Sequence, residues 1–204
     1  MGKYINLFFL LGDMNKIVFI VGMCGSGKSI VADELVKKGF GYVRFGQLTL
    51  DKVIEQRLAP TEENEKRIRE ELRRQYGMGA YAALNLPKFD ALLLKGNVVG
   101  DGLYSWSEYK ILKDHYQDKM VVLHIYAPPE LRYERLEART RIDEQMRNRP
   151  MTRKQAEARD CAEIENIEKG GPIAMANYCI QNLGGVEELR EDVGRFLSSC
   201  NLLE

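Results

Sequence analysis

The sequence predicts an α/β protein, a five-stranded and mostly parallel sheet covered by helices on both faces in a three-layer α/β/α arrangement. Three observations carry that prediction. Ile17-Val-Phe-Ile-Val21 is a short run of branched and aromatic residues bounded by glycine, as a strand buried on both faces requires. It empties into Gly22-Met-Cys-Gly-Ser-Gly-Lys-Ser29, and a helical pattern begins directly behind it. Further apolar runs recur at intervals suited to helical crossovers, which implies parallel pairing with ligands at the carboxyl ends of the strands.

Taken in order, the first helix runs from Ser29 to Lys38, with Val31, Ala32, Leu35 and Val36 at helical spacing. Lys37 and Lys38 suit its last turn, and Gly39 suits the position beyond it. The remaining strands are expected at Tyr42 to Phe45, Asn97 to Asp101, Met120 to Ala127 and Tyr178 to Asn182. Between them, Glu62 to Tyr76 and Ala80 to Leu94 read as two helices broken at Gly77-Met-Gly79, and Pro87 predicts a kink or a second break. The first of these is dense in charge, with Ile68 and Leu72 as a narrow apolar stripe. Its charges read either as a solvated face of i,i+4 pairs or as part of an arm that closes over a substrate. Ser105-Trp-Ser-Glu108 and Thr152-Arg-Lys-Gln155 have capping-box spacing, and Pro128-Pro129 suits a helix entry.

The 204 residues, 45% hydrophobic and 29% charged, make one ordinary domain. A formal net charge of +0 excludes an overall basic field, so no nucleic-acid partner is expected. Cys24, Cys161, Cys179 and Cys200 form no C-x-x-C pair and have no histidines at metal spacing, which reads as reduced thiols of a cytoplasmic protein. The apolar stretch from Tyr4 to Gly12 is too short to span a bilayer and has no small-residue cleavage site, so no membrane partner is expected either. Met14 stands two residues before the first strand, and residues 1–13 read as a possible extension.

The chemistry lies first in Gly22 to Ser29, the Walker A pattern G-x-x-x-x-G-K-S. Its glycines let successive N–H groups turn toward phosphate oxygens, and the following helix aims its positive end at the same place. Lys28 is expected at the β/γ-phosphates and Ser29 at Mg²⁺. Asp101 ends an apolar strand and is followed by Gly102, which would bring its carboxylate out near the loop if that strand neighbours the first. There it would orient Mg²⁺ or take a proton from an acceptor hydroxyl. Arg132, Arg135 and Arg139 share one helical face, with Arg141, Arg147, Arg149 and Arg153 beyond them, so this stretch reads as a flap whose guanidinium forks meet the transferring phosphoryl group.

With these residues assembled, the chain resembles the P-loop nucleotide kinase superfamily, of the adenylate kinase and dephospho-CoA kinase type, over about residues 16–198. The segments that carry the resemblance are Gly22 to Ser29, Phe45-Gly-Gln47, Asp101-Gly-Leu-Tyr-Ser105, Tyr126-Ala-Pro-Pro-Glu-Leu-Arg-Tyr-Glu-Arg135, Arg159-Asp160 and Tyr178-Cys-Ile-Gln-Asn182. It implies a CORE at 16–45, 96–138 and 156–198, a helical acceptor arm at 46–95 and a LID at 139–155. It also implies an ATP site at Gly22, Met23, Cys24, Gly25, Ser26, Gly27, Lys28, Ser29 and Ile30, with Asn182 and Gly184 near the adenine. Mg²⁺ would be held by Ser29 and Asp101. Lys28, Asp101, Arg139, Arg149 and Arg159 would serve transfer, and Gly46, Gln47, Arg57 and Tyr104 the acceptor.

The chain departs from that pattern at two places. Gln47 stands where these kinases usually have aspartate, and Tyr104 stands where an arginine is expected three residues after Asp101. Without a carboxylate at 47, a monophosphate acceptor, already an oxyanion, is favoured over a hydroxyl. The expectation is therefore an Mg²⁺-ATP-dependent kinase acting on a nucleotide or nucleotide-like small molecule such as a nucleoside monophosphate. The alternatives are dephospho-CoA-kinase-like hydroxyl phosphorylation and a non-catalytic ATP-binding regulatory module.

Overall fold

The computed structural model describes residues 15–139 and 150–202. Five strands, β1 (Ile17–Val21), β2 (Gly41–Arg44), β3 (Val98–Asp101), β4 (Met120–Tyr126) and β5 (Tyr178–Gln181), form one sheet in the order β2-β3-β1-β4-β5. Every pairing in it is parallel, where the sequence predicts only a mostly parallel sheet. The strands connect through α1 (Lys28–Lys37), α2 (Gln47–Glu55), α3 (Glu62–Tyr76), α4 (Ala80–Leu93), α5 (Trp106–Tyr116), α6 (Pro129–Glu137), α7 (Arg153–Ile167) and α8 (Gly170–Ala174), and α9 (Val186–Ser199) follows β5.

β1 is central because all five of its residues are buried, and its two faces feed two cores. Ile17, Phe19 and Val21 join Phe89, Leu112 and Tyr116 on one side. Val18 and Ile20 join Val31 and Leu35 of α1 and Leu189, Val193 and Phe196 of α9 on the other. Each fully buried aliphatic or aromatic side chain contributes about 1.5–3 kcal/mol by transfer from water. Phe19 sits in an aromatic group with ring centroids 5.2 Å from Phe89, 6.1 Å from Phe45 and 6.3 Å from Tyr116. A Cβ at Gly100 of β3 would stand 2.5 Å from the Phe19 ring, so this strand position has to be glycine for the aromatic group to close against the sheet.

Local expectations hold to within a residue at most strand ends, and both capping boxes form: Ser105 with Glu108 at α5, and Thr152 with Gln155 at α7. Pro87 is different. It neither breaks nor ends α4, which runs through it. Pro87 and Ala83, whose carbonyl loses its i+4 donor, are both exposed, so water can satisfy the freed group while Phe89 and Asn85 anchor the buried side. α7 begins at Arg153, so the last residues of the expected LID belong to a helix continuous with the CORE; residues 140–149, including Arg141, Arg147 and Arg149, lie outside the described residues, as do residues 1–14.

Candidate functional site

The loop between β1 and α1 is shaped by close approaches that tolerate no side chain. Gly22 has φ 140° and a Cβ there would stand 2.4 Å from the Ile125 carbonyl oxygen; Gly27 has φ 102° and a Cβ there would stand 2.4 Å from Asn182 Nδ2. Both positions demand glycine, conformationally and sterically. The loop is tied down from outside. Asn182 Nδ2 donates to the Ser26 carbonyl at 2.8 Å, and Arg132, 4% exposed, donates from NH1 to the Cys24 carbonyl at 3.0 Å and from Nε to the Ala127 carbonyl at 3.0 Å. Arg132 also pairs with Asp160 at 2.6 Å, which itself accepts from the Tyr133 hydroxyl. Inside the loop, Ser26 Oγ is buried with no hydrogen-bond partner among the described residues. Lys28 Nζ folds back to donate to the Met23 carbonyl at 2.9 Å, and burial lowers the pKa of its ammonium.

This loop forms one end of a cleft of 630 Å³. Register places Asp101 beside Ile20 at the carboxyl end of β3, which puts it in the same cleft, with the Tyr42 hydroxyl donating to its Oδ2 at 3.1 Å. Glu108 of the α5 cap accepts from the backbone N–H of both Tyr104 and Ser105 at 2.9 Å, which fixes the turn after Asp101. Behind Tyr104 lies a charged group drawn from α7 and the turn after it. Arg159 Nε donates to Glu163 Oε1 at 2.9 Å, the buried Lys169 donates to Glu163 Oε2, and the Lys169 ammonium stands 4.3 Å from the centroid of the Tyr104 ring. Burial pushes Glu163 up, but Lys169 and Arg159 outweigh it and bring its carboxyl down to about 2. Burial and nearby Lys28 bring Lys169 down to about 8 against the opposing pull of Glu163. Burial raises the Tyr104 phenol, and Glu163 adds to the effect. The far wall carries Arg44, Arg69 and Arg73, with Thr49 and Tyr81 hydrogen-bonded to each other at 2.6 Å.

Of the residues expected from sequence, Cys24, Gly25, Gly27, Lys28, Ser29, Gly46, Asp101, Tyr104, Arg139 and Arg159 line this one cleft. Gly22, Met23, Ser26 and Ile30 belong to the loop or the helix start without lining it. Four expected residues lie elsewhere. Gln47 turns its amide onto Asp51 at 2.9 Å in the first turn of α2, and Arg57 is exposed past the end of that helix with φ 56°. Asn182 is buried behind the loop, and Arg135 donates to the Asn182 and Gly184 carbonyls, so these residues brace the site from the rear. Arg132 and Arg135, expected on a moving flap, are therefore fixed struts. The sequence does not single out Glu163, Lys169 or Arg44, and Arg69 and Arg73 stand in it only among the charges of the helix read either as a solvated face or as part of an arm. For Arg69 and Arg73 a signal existed, their i,i+4 spacing beside the Ile68–Leu72 stripe; Lys169 meets Tyr104 only through the tertiary fold.

The residues present fit a magnesium nucleotide. The loop is a cradle that side chains would fill, Ser26 Oγ lacks a partner among the described residues, and the Ser29 hydroxyl and Asp101 carboxylate share one cleft. Among the described residues no group of three or more His, Cys, Asp or Glu side chains is set to hold a metal. Mg²⁺ keeps several waters and is bound by one or two protein oxygens together with substrate phosphates, and the Ser29 hydroxyl and Asp101 carboxylate are oxygens of that kind.

Comparison with known proteins gives the chain a family and relates its fold to solved structures. The AAA domain family profile matches residues 18–165. A UPF0200 protein of Thermococcus gammatolerans is 36% identical over 179 residues, covering 87% of this chain and 91% of the relative, and one of Thermococcus kodakarensis is 35% identical over 184 residues, covering 89% and 96%. Among solved structures, a gluconokinase from Sinorhizobium meliloti aligns with a TM-score of 0.56 at 15% identity, over 91% of this chain and 92% of that one. A shikimate kinase from Acinetobacter baumannii, in complex with shikimate, aligns with a TM-score of 0.56 at 17% identity, over 96% and 99%. At such identities the likeness to solved structures is one of fold, while the sequence matches establish descent. The chain belongs to the AAA domain family and to the UPF0200 proteins, with the fold of the P-loop nucleotide kinase-like superfamily.

Proposed function

We propose that this protein is an Mg²⁺-ATP-dependent phosphotransferase whose acceptor is a nucleotide or nucleotide-like small molecule, a nucleoside monophosphate being the representative case. The observation that carries the reading is that the Gly22–Ser29 cradle and Asp101 open into the same cleft as Arg44, Arg69 and Arg73, so a triphosphate cradle and a second cationic wall face one space. Guanidinium forks match phosphate oxygens, and a second phosphate-bearing molecule would find them there. Arg69 is already engaged with Glu62 at 2.5 Å and Glu65 at 3.5 Å, so that wall carries acceptors for a polar group as well as guanidinium donors.

In this reading the loop amides and Lys28 would hold the β/γ-phosphates, and Ser29 and Asp101 would hold Mg²⁺, which would supply charge neutralisation to the phosphates. The acceptor oxygen forms its bond to the γ-phosphorus as the bond to the β-phosphate oxygen breaks, and ADP leaves with that oxygen. Arg159, with Arg139 and Arg149 of the proposed LID at 139–155, would neutralise the equatorial oxygens. The arm at 46–95 would bind the acceptor against a CORE at 16–45, 96–138 and 156–198. A neutral hydroxyl acceptor would need a base, for which Asp101 is the candidate carboxylate.

The test is an assay with γ-labelled ATP against nucleoside monophosphates, nucleosides and dephospho-CoA, run on the wild type and on Asp101→Asn. Labelled product from a monophosphate supports the proposal. ATP binding with no transfer to any acceptor would identify a regulatory module instead.

A further inference from the structure

Lys169 has no part in the scheme above, yet few lysines are so placed. It is 1% exposed, and it arrives from the turn between α7 and α8 to form part of the cleft wall. An ammonium group offers three donors and is costly to bury unless partnered. Among the described residues, one acceptor is recorded for it, Glu163 Oε2, and the face of Tyr104 lies 4.3 Å from its nitrogen. Glu163 is itself shared, since Arg159 Nε holds its other oxygen at 2.9 Å. One carboxylate thus answers two cations, and Lys28 is near enough to depress the Lys169 pKa further. At about 8 that pKa still leaves the group cationic at neutral pH. Over the whole cleft lining, Glu108 included, seven lysines and arginines face five aspartates and glutamates, a surplus of positive charge that a polyphosphate would balance.

We propose that Lys169 is a phosphate-binding residue of this cleft that donates to the terminal phosphate of a bound nucleoside triphosphate, with Glu163 and the Tyr104 ring seating its ammonium for that contact. The terminal phosphate is singled out by position. The loop amides and Lys28 approach a triphosphate from the start of α1, whereas Lys169 stands on the Tyr104 side, past Asp101, so it would add a second cationic donor to the terminal phosphate from the opposite side. Ser105 and Glu108 lock that turn, so Tyr104 gives the ammonium a fixed platform. The inference rests on reading Gly22–Ser29 as a nucleotide cradle and is independent of whether transfer follows.

The experiment is calorimetric titration of Mg²⁺-ATP and Mg²⁺-ADP into the wild type, Lys169→Met and Lys169→Arg at pH 7. A charge-assisted hydrogen bond to the terminal phosphate predicts that Lys169→Met weakens ATP about tenfold and that Lys169→Arg recovers most of the loss. ADP should change less than about twofold, because it lacks the group in question. A role confined to folding would weaken both nucleotides together. Parallel loss of ATP and ADP in Lys169→Met, or no change in either, overturns the proposal; if Lys169→Met does not fold, Lys169→Gln, which removes the charge and keeps a polar end, is judged by the same ATP-to-ADP comparison. A wild type that binds both nucleotides yet phosphorylates no acceptor would end the kinase reading while this ratio still judged Lys169.

Discussion

Lys28 shows how much of the site rests on single side chains. Its ammonium bends back onto the Met23 carbonyl, 2.9 Å away, so a phosphate oxygen entering the cradle replaces a carbonyl as its acceptor and no new cavity has to open. Lys28→Ala is expected to lower kcat by about 10²–10³-fold, the loss typical of one electrostatic group aimed at developing charge, with a melting temperature near that of the wild type. Steady-state kinetics beside thermal melts check both halves. Asp101→Asn is expected to abolish transfer to a hydroxyl acceptor, which needs a base, while transfer to a monophosphate falls in proportion to weakened Mg²⁺; a magnesium titration of the rate separates these. Glu163 gives a prediction in pH. Its carboxyl titrates at about 2 in the folded protein against an ordinary 4.5, so the folded state binds fewer protons than the unfolded state between those values. The stability it contributes is whole above pH 4.5 and is lost as pH falls toward 2. Glu163→Gln should therefore flatten the acid limb of a plot of melting temperature against pH.

Among the elements, α5 does the most to position the cleft. Its capping box satisfies orphan N–H groups in both directions, and the same Glu108 carboxylate reaches the Tyr104 N–H, so the helix start and the turn after Asp101 are one hydrogen-bonded unit. Ser105 Oγ also donates to the Met78 carbonyl at 3.1 Å and so ties the junction of α3 and α4 to the same point. Ser105→Ala should lower unfolding free energy by about 0.5–2 kcal/mol, read by urea denaturation, and should cost affinity for the acceptor more than for ATP. α3 carries the opposite lesson. Its charge density leaves both a solvated face and a substrate-closing arm open in the sequence; in the fold Glu65 is 7% exposed, and Arg69 and Arg73 line the cleft. Burial of a charged face is decided by what packs beside it, which no periodicity within the helix reports.

Across the molecule, the sheet order brings the ends of β1 and β3 side by side and sets the loop, Asp101 and the arginines Arg44, Arg69 and Arg73 around one cleft. A ligand that binds this folded arrangement and not the unfolded chain stabilises it by mass action, about 2.7 kcal/mol at a hundred times Kd. Mg²⁺-ATP should therefore raise the melting temperature by several degrees, and Gly27→Ala, whose Cβ would stand 2.4 Å from Asn182 Nδ2, should abolish the rise. Scanning fluorimetry with and without nucleotide checks it.

The strand–loop–helix at Ile17 to Lys37, the α/β class and both capping boxes are legible along the chain, because glycine φ preferences, apolar periodicity and side-chain reach over three residues dictate them locally. Tertiary structure alone decided that Arg132 and Arg135 are struts, that Gln47 and Arg57 lie off the cleft, and that Lys169, Glu163 and Tyr104 meet. Those outcomes depend on buried charges finding partners from distant segments, and the electrostatic cost of leaving them unpaired acts through space rather than along the chain.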